Sequence, residues 1–454
     1  MKMIYSLLLM GIVSGAGLRL VKAWWILGVM VYFILDLCMS MPLYEGVKLV
    51  KGAMMLDTMS VGLMLLSLFI LMLMYLASTQ VINLMNHLSL YSGFMILLLV
   101  ILLVSFIMGN YMYFYFFFEA SLIPTLYLVT GWGYQPERLQ AGVYFVMYTL
   151  FLSLPLLVGL LWFEGAGLSL LMWDSVVVGH TVGVAGMLGA LAGFIMVLAF
   201  LVKLPMFLVH LWLPSAHVEA PVSGSMILAA VLLKLGGFGL MRMGLKFSGV
   251  LVKTSCLFVG LSLVGMVFVG LVCCRLNDLK ALVAYSSVAH MGAVICGVFT
   301  GFVFGLSGSL FMMISHGLSS SGLFCFVNTL YERTGSRSLF MNKGVISLIP
   351  LFSLMFFLLC CSNVSAPPSI NLMSEIMLII SINKFEVFNV GLLATGLFLG
   401  AVFTFYMFSY SSHGKWFGSS YNYVGGVYVE FHTLTMHLIP INLVILSNEV
   451  FWLG

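Results

Sequence analysis

The sequence predicts an all-α polytopic membrane protein of about fourteen transmembrane helices. Of the 454 residues, 63% are hydrophobic and only 7% are charged, whereas soluble domains contain about a quarter charged residues. Apolar stretches that reach the roughly 20 residues needed to cross a hydrocarbon core follow one another along the chain. These stretches are apolar throughout and do not alternate, so they predict helices and argue against a membrane β-barrel.

Short polar segments separate the predicted crossings. The first crossing resembles a signal peptide, but further apolar helices follow it closely, which favours a transmembrane helix. Prolines interrupt crossing 7 and crossing 12, and each interrupted helix is counted as one crossing. The predicted bounds are 4–17, 24–42, 58–78, 92–109, 111–131, 139–162, 183–214, 222–242, 253–273, 281–300, 303–330, 345–366 with a second half at 368–382, 388–411 and 429–448.

Several functions are disfavoured by what the sequence lacks. The formal net charge is only +4 and no long basic run occurs, so no nucleic-acid partner is expected. The eight cysteines form no C-x-x-C pattern and no Cys/His ligand spacing, so neither a metal site nor a disulfide framework is predicted. Glycine-rich nucleotide-binding patterns are also absent.

Four ionisable residues fall deep inside apolar stretches: Glu119, Lys203, Lys234 and Glu375. A lysine or aspartate at a helix centre costs about 2.5–3.5 kcal/mol on insertion scales. Such residues usually face the bundle interior and mark an ion or proton path. The alternative is two structural Lys–Glu pairs, but buried pairs stabilise poorly compared with apolar packing. A buried lysine beside a carboxylate is suited to a relay, because burial favours its neutral form and the carboxylate its charged form.

Histidines lie on or near the helices that carry these charges. Histidine titrates near neutrality and can donate or accept a proton. Each one alone is more simply read as a hydrogen-bonded core residue, whereas the set, with serines one helical turn away, predicts a hydrated proton path. The four candidates for lining that path are His210, His217, His290 and His316.

Two proline breaks lie close to two of the charges and indicate an internal repeat. Pro205 follows Lys203, and the pair at 367–368 precedes Glu375. Broken helices at membrane depth are tolerated where they line a cavity, and in corresponding positions of two halves they indicate inverted repeats. We therefore predict helices 1–3 in residues 1–90, a first five-helix repeat (helices 4–8) in 91–245, a second (helices 9–13) in 246–412, and helix 14 in 413–454.

The segment AFLVKLPMFLVHLWLPSAHVEAPVSGSMILAAVLLKLGGFGLMR, residues 199–242, closely resembles the proton-translocating, antiporter-like subunits of respiratory complex I. FFFEASLIPTLYLVTGWGYQPERLQAGVYFVMYTLFLSLPLL and APPSINLMSEI are similar to other parts of the same family. The resemblance runs from about residue 57 to 380. It places the family's helix 5 glutamate on Glu119, its helix 7 and helix 8 lysines on Lys203 and Lys234, and its helix 12 acidic residue on Glu375. Ser374 stands where glycine is usual.

The resemblance implies a subunit with no cofactor of its own. NADH, FMN, iron–sulfur clusters and ubiquinone would bind in other chains, whose electron transfer drives protons through this one from the matrix to the intermembrane space. Implied partners are neighbouring membrane-arm subunits and phospholipids such as cardiolipin. The implied location is the mitochondrial inner membrane, as a multi-pass and mitochondrially encoded protein.

On this hypothesis an ion pair between Glu119 and Lys203 keeps the lysine protonated until a neighbouring subunit separates the pair. The proton then passes to Lys234 and, through water and His290 or His316, to Glu375. The alternatives are a free-standing cation/proton antiporter, recognised if the chain purifies outside an NADH-oxidising assembly, and a structural subunit, which would tolerate apolar replacements of the charges. A small-molecule transporter has no supporting polar cluster beyond this Lys–Glu–His set.

Overall fold

The computed structural model describes residues 48–51, 54–79, 81, 87–167, 169–172, 187–246, 248–415 and 427–452, with single positions at 28 and 31. The predicted crossing at 4–17, and all but two positions of the one at 24–42, lie outside the described residues. The remaining twelve predicted crossings fall on described helices. The prediction of an all-α polytopic membrane protein is therefore confirmed.

Helices dominate the described chain. The first part contains α1 (Thr58–Ala77), α2 (Leu88–Ile107), α3 (Tyr111–Ala120), α4 (Leu122–Trp132), α5 (Arg138–Gly165), α6 (Met187–Lys203), α7 (Trp212–Glu219), α8 (Val222–Ile227) and α9 (Leu233–Lys246). The second part contains α10 (Ser248–Cys273), α11 (Leu279–Phe299), α12 (Val303–Thr334), α13 (Val345–Leu348), α14 (Pro350–Asn363), α15 (Ile370–Phe385), α16 (Val387–Ser412) and α17 (Tyr428–Leu443), followed by a 3-10 helix at Val444–Phe451.

Ten segments of the described chain are long and apolar enough to cross a membrane. Two shorter apolar segments, Gly193–Lys203 within α6 and Pro350–Asn363 (α14), belong to the crossings that the sequence predicts to be broken. One small feature was not predicted, a two-stranded antiparallel sheet of β1 (Lys48–Lys51) and β2 (Met54–Leu56) before α1.

Both predicted interruptions are present, and each has a backbone cause. The helix α6 ends at Lys203, and the chain becomes helical again at Trp212. Pro205 has no N–H to donate and disfavours helical geometry in the residue before it, so α6 stops there. In crossing 12, α14 ends at Asn363 and α15 begins at Ile370, with Pro367 and Pro368 between them.

The structure contains two further helix irregularities that the sequence did not predict. The predicted crossing 111–131 divides into α3 and α4 at Ser121, and Pro124 supplies no N–H to the end of α3. The predicted crossing 222–242 contains a π-helical turn, Leu228–Leu232, between α8 and α9. In this turn the Leu233 N–H donates to the Leu228 carbonyl, five residues back.

By its internal contacts the chain divides into two compact units. The first contains residues 1–203, 219–251 and 450–452, and the second contains 204–218, 252–449 and 453–454. The predicted boundaries of the two repeats stay predictions.

In the first unit, aromatic rings fill the space between α2, α3, α6 and α9. The Phe238 ring lies 5.4 Å from Phe106 and 5.7 Å from Phe114, and Phe118 lies 5.5 Å from Phe200, between ring centres. A Cβ at Gly239 would collide with the Phe200 ring, so this glycine lets α9 approach α6 closely. The aromatic cluster fixes the two helices that carry Lys203 and Lys234.

In the second unit, α11 and α12 form the interior and are almost completely buried. The rings of Phe326 and Phe356 stack in parallel with centres 4.0 Å apart, which joins α12 to α14. The helix α12 is therefore surrounded by protein, although it carries a histidine and several serines.

Candidate functional site

Lys203 is the last residue of α6 and is buried. Its Nζ donates a hydrogen bond of 2.6 Å to the Phe118 carbonyl oxygen and lies 3.2 Å from the centre of the Phe118 ring. The Ser121 hydroxyl donates to the same carbonyl at 2.7 Å. This carbonyl belongs to the last turn of α3, where the helix dipole concentrates negative charge. The break after α3 thus supplies an acceptor for a buried ammonium group.

Glu119 follows Phe118 in the chain and is half-buried. It interacts electrostatically with Lys203, but within the described chain the two side chains form no ion pair shorter than 4.0 Å. Neither carboxylate oxygen accepts a hydrogen bond of regular geometry from a described residue. The neighbouring Ser153 hydroxyl donates to its own helix, at the Leu150 carbonyl. The hypothesised ion pair is therefore not formed in this structure, because the lysine binds the carbonyl at the end of α3 instead.

Lys234 is fully buried near the start of α9, directly after the π turn. Its Nζ donates to the carbonyl oxygen of Ala229, which belongs to that turn. A π turn shifts the backbone hydrogen-bond register by one residue, and such turns are frequent at functional sites. Both buried lysines therefore bind backbone oxygen at an irregular point of a helix.

In the second unit the structure brings together two of the four predicted histidines. His290 of α11 and His316 of α12 are both buried, and their ring centres are 5.4 Å apart. The Ser320 hydroxyl donates to the His316 carbonyl at 2.6 Å, and Ser319 donates to Asn363 Oδ1 at 3.4 Å. The serines that lie one turn from His316 on α12 thus continue the row of polar groups to Asn363 at the end of α14.

The other two predicted histidines pack against aromatic rings. His210 lies between Phe207 and Tyr285, with ring centres 5.6 Å and 6.1 Å away. His217 stacks in parallel on Phe324 at 4.7 Å. Both are buried, but these contacts alone fit a core role equally well.

Glu375 lies on α15, beyond the proline break, and is half-buried. The Ser365 hydroxyl donates to its Oε2 at 2.6 Å. Ser365 belongs to the break itself and has a left-handed backbone with φ of 64°. The turn between α14 and α15 therefore positions a donor on the acidic residue.

Sequence reasoning missed the polar residues of this break. Asn371 Nδ2 donates to the Ser362 carbonyl, but its Oδ1, Asn363 Nδ2 and Ser369 Oγ are buried without a hydrogen-bond partner among the described residues. Buried polar atoms are usually paired, often with ordered water. The signal that could have identified these residues is their position on both sides of the proline pair.

The described residues contain no group of three or more His, Cys, Asp or Glu arranged to hold a metal ion. The polar atoms of the candidate site are ammonium groups, carboxylates, imidazoles, hydroxyls and backbone carbonyls. This set is suited to holding and passing protons.

The family model described as NADH:quinone oxidoreductase/Mrp antiporter, TM, matches residues 108–404, and the model for the NADH-ubiquinone oxidoreductase chain 4 amino terminus matches residues 1–108. A chain of respiratory complex I from Thermus thermophilus with bound NADH superposes with a TM-score of 0.83 at 23% identity, over 97% of this chain and 94% of that chain. A chain of the Mrp complex from Dietzia sp. DQ12-45-1b gives a TM-score of 0.84 at 15% identity, over 99% and 95%. The family model over residues 108–404 therefore places the chain in the class of antiporter-like membrane subunits, and the two solved structures share its fold.

Similarity to individual proteins narrows this class. NADH-ubiquinone oxidoreductase chain 4 of Ceratitis capitata is 48% identical over 401 residues, which cover 87% of this chain and 88% of the relative. The same protein of Locusta migratoria is 44% identical over 432 residues, covering 95% and 96%. The chain belongs to the NADH-ubiquinone oxidoreductase chain 4 family, which agrees with the resemblance of its motifs to the antiporter-like subunits of respiratory complex I.

Proposed function

We propose that this chain translocates protons as a membrane subunit of an NADH:ubiquinone oxidoreductase, in which it sits with the other membrane subunits. Electron transfer from NADH to ubiquinone takes place in other chains, which hold the NADH, FMN, iron–sulfur and ubiquinone sites. The energy released there drives protons through this chain from the matrix to the intermembrane space. Neither redox chemistry nor nucleic-acid binding is expected in this chain.

The observation that carries the proposal is the position of Lys203 between two acceptors. Its ammonium group binds the Phe118 carbonyl, and the adjacent Glu119 carboxylate accepts no hydrogen bond of regular geometry from a described residue. A movement of the ammonium group from the carbonyl to the carboxylate would exchange a neutral acceptor for a charged one. Since a nearby carboxylate favours the charged lysine and burial favours the neutral one, such a shift loads or releases a proton.

The proposed order of transfer follows from this switch. Lys203 holds its proton while Glu119 is close, and loses it toward Lys234 when the two separate. Water with His290 or His316 carries the proton onward, and Glu375 is the exit group. Moving one charge against 100 mV requires about 2.3 kcal/mol. Removing one partner of a buried charge pair costs about 3–5 kcal/mol, so a change in such a pair is of the size that this step requires.

The test is proton-to-electron stoichiometry in the intact assembly reconstituted into vesicles. Three variants remove one charge each: Lys203→Met, Lys234→Met and Glu375→Gln. The matched control is Lys253→Met, because Lys253 is an exposed lysine on α10. We expect the three variants to lose the protons that this chain moves, and the control to keep the native ratio. A native ratio in all three variants would contradict the proposal and favour a purely structural subunit.

We also propose the mitochondrial inner membrane as the location, mitochondrial encoding, and phospholipid neighbours such as cardiolipin. The animal relatives of chain 4 support this proposal. Fractionation of mitochondria, with the chain retained in sealed inner-membrane vesicles and absent from the outer membrane, tests the location. Mass spectrometry of lipids that copurify with the assembly tests the phospholipid.

A further inference from the structure

A polar seam joins α12 and α17 in the second unit. It consists of Gly322, Cys325 and Arg333 of α12 and Glu430, Thr433 and His437 of α17. The α17 residues are three and four positions apart, so they share one face of that helix. The α12–α17 seam runs from the fully buried His437 to the ion pair of Arg333 and Glu430 near its other end. The proposed proton path does not include these residues.

The contacts along the seam pair the two helices in antiparallel order. Arg333 forms an ion pair with Glu430, and Cys325 Sγ lies 3.6 Å from Thr433 Oγ1. A Cβ at Gly322 would meet the His437 side chain at 3.2 Å. The absence of a side chain at Gly322 therefore makes room for the imidazole between the helices.

A single hydrogen bond of the His437 ring defines its tautomer. The residue is fully buried, and Nδ1 lies 2.7 Å from the Thr433 carbonyl oxygen. A carbonyl oxygen only accepts, so Nδ1 carries the hydrogen and donates it. In the neutral ring Nε2 is then an acceptor with a free lone pair, and it has no hydrogen-bond partner among the described residues.

A buried acceptor left unsatisfied is destabilising, and an apolar residue at the same position would avoid this cost. A water molecule is the smallest donor that satisfies it, and water at Nε2 also makes the ring a proton acceptor. The other end of the seam carries two carboxylate groups. Besides Glu430 there is Glu332, whose Oε1 accepts a hydrogen bond of 2.6 Å from Asn328.

We propose that His437 is a water-bound proton-accepting site, reached along the α12–α17 seam from Glu430. A proton carried by water binds to Nε2 and leaves the water neutral, while Nδ1–H keeps its bond to the Thr433 carbonyl. The imidazolium then returns the proton from Nε2 to water on the side of Ser319, which lies one turn of α12 before Gly322 and bonds Asn363. This inference rests on the proposed function, since it gives the proton path a side branch.

Two replacements of His437 test the site in the intact assembly. His437→Gln keeps a polar group near Nε2, and His437→Asn keeps a donor near the Thr433 carbonyl, but neither side chain can take up a proton. The control is His432→Gln, because His432 is on the same helix, is only half-buried and stacks on Tyr428. Lys234→Met serves as the reference for loss of proton transfer.

We expect both His437 variants to assemble and oxidise NADH. Their proton-to-electron ratio should lie below that of His432→Gln, which keeps the native ratio, and above that of Lys234→Met, because the main path stays intact. A ratio equal to that of His432→Gln overturns the His437 site alone. If Lys203→Met, Lys234→Met and Glu375→Gln also keep the native ratio, the proposed function fails with it. A structure of the native assembly that resolves water gives a test without mutation: water within about 3.2 Å of Nε2 supports the site, and a dry apolar surrounding overturns it.

Discussion

The Nζ atom of Lys203 donates a 2.6 Å hydrogen bond to the carbonyl of Phe118, the residue directly before Glu119. The ammonium group therefore lies at the carboxyl end of a helix rather than on the carboxylate beside it. Helix ends attract cations through their dipole, but the attraction is weaker than that of a full negative charge in a low dielectric. A lysine in this position binds a neutral acceptor while it interacts electrostatically with the charged carboxylate next to it in the chain.

Glu119→Gln tests whether the proposed exchange of acceptors matters for function. The substitution keeps the shape of the side chain but removes its charge, so Lys203 should stay on the Phe118 carbonyl and the fold should be unchanged. We expect the assembly to form and oxidise NADH, while the protons moved by this chain are lost. The measurement is the proton-to-electron ratio in sealed vesicles.

Glu137→Gln is the matched control for Glu119→Gln. Glu137 is an exposed carboxylate at the start of α5, and its replacement should leave the ratio at the native value. If Glu119→Gln pumps as well as Glu137→Gln, the carboxylate is not the second acceptor of Lys203.

The broken crossings could be predicted because proline acts locally. Pro205 and Pro367 remove a donor and restrict the preceding residue wherever they occur, so an interruption near each proline follows from sequence alone. The residue at which the helix ends does not, since α14 ends at Asn363 and the predicted segment ended at 366. The π turn before Lys234 could not be predicted in this way. Its residues, LAAVL, include no proline or glycine that would mark an irregular turn, so the local sequence does not distinguish this segment from an ordinary helix.

The partners of the charges were harder to predict than the charges themselves. The apolar surroundings of Lys203 and Glu119 in the sequence make their burial costly, which identified both residues as functional candidates. The partner of Lys203 could not be predicted, because a backbone carbonyl competes with the carboxylate for the ammonium group and every residue has such a carbonyl. Ser365 could not be assigned to Glu375, because its reach depends on the left-handed turn at the break. His437 was missed because its contact with Gly322 depends on the packing of two helices that are far apart in the sequence.

Ser365→Ala removes the hydroxyl that donates to Glu375 Oε2 at 2.6 Å. The backbone strain at φ of 64° stays the same, since alanine also carries a Cβ. A hydrogen bond to a charged group contributes about 1.5–3 kcal/mol, so we expect proton translocation to slow about tenfold or more. The measurement is the rate of vesicle acidification per NADH oxidised.

Ser362→Ala is the comparison for Ser365→Ala, because the Ser362 hydroxyl is buried nearby but bonds only its own helix, at the Leu359 carbonyl. It should leave the rate of proton translocation close to native. Equal rates in the two variants would mean that the Ser365 hydroxyl does not support the acidic residue.

Gly305→Ala tests the contact between α11 and α12. A Cβ at Gly305 would collide with the Gly297 carbonyl oxygen and Thr300 Oγ1. The carbonyl is backbone and cannot rotate away, so the helices must separate at a cost of about 1–3 kcal/mol. We expect a lower temperature of half-inactivation for the assembly.

Gly260→Ala places the same substitution at a helical position where a Cβ would meet nothing within 4 Å. It should leave the temperature of half-inactivation unchanged or raise it slightly, because alanine favours helix. A loss of stability in Gly260→Ala as large as in Gly305→Ala would mean that the close contact is not its cause.

Asp57 and Arg242 form a buried ion pair of 2.5 Å in the first unit. Asp57 also caps α1, where its Oδ1 accepts from the Ser60 N–H at 3.0 Å. Asparagine caps a helix about as well as aspartate, so Asp57→Asn removes the charge but keeps the cap. We expect a loss of about 3–5 kcal/mol in the free energy of unfolding, because Arg242 is left as an uncompensated buried charge.

Combining Asp57→Asn with Arg242→Met removes that charge too and should restore most of the stability, measured by thermal inactivation of the intact assembly. A double variant that is less stable than Asp57→Asn alone would show that the guanidinium stabilises the unit through contacts other than the ion pair.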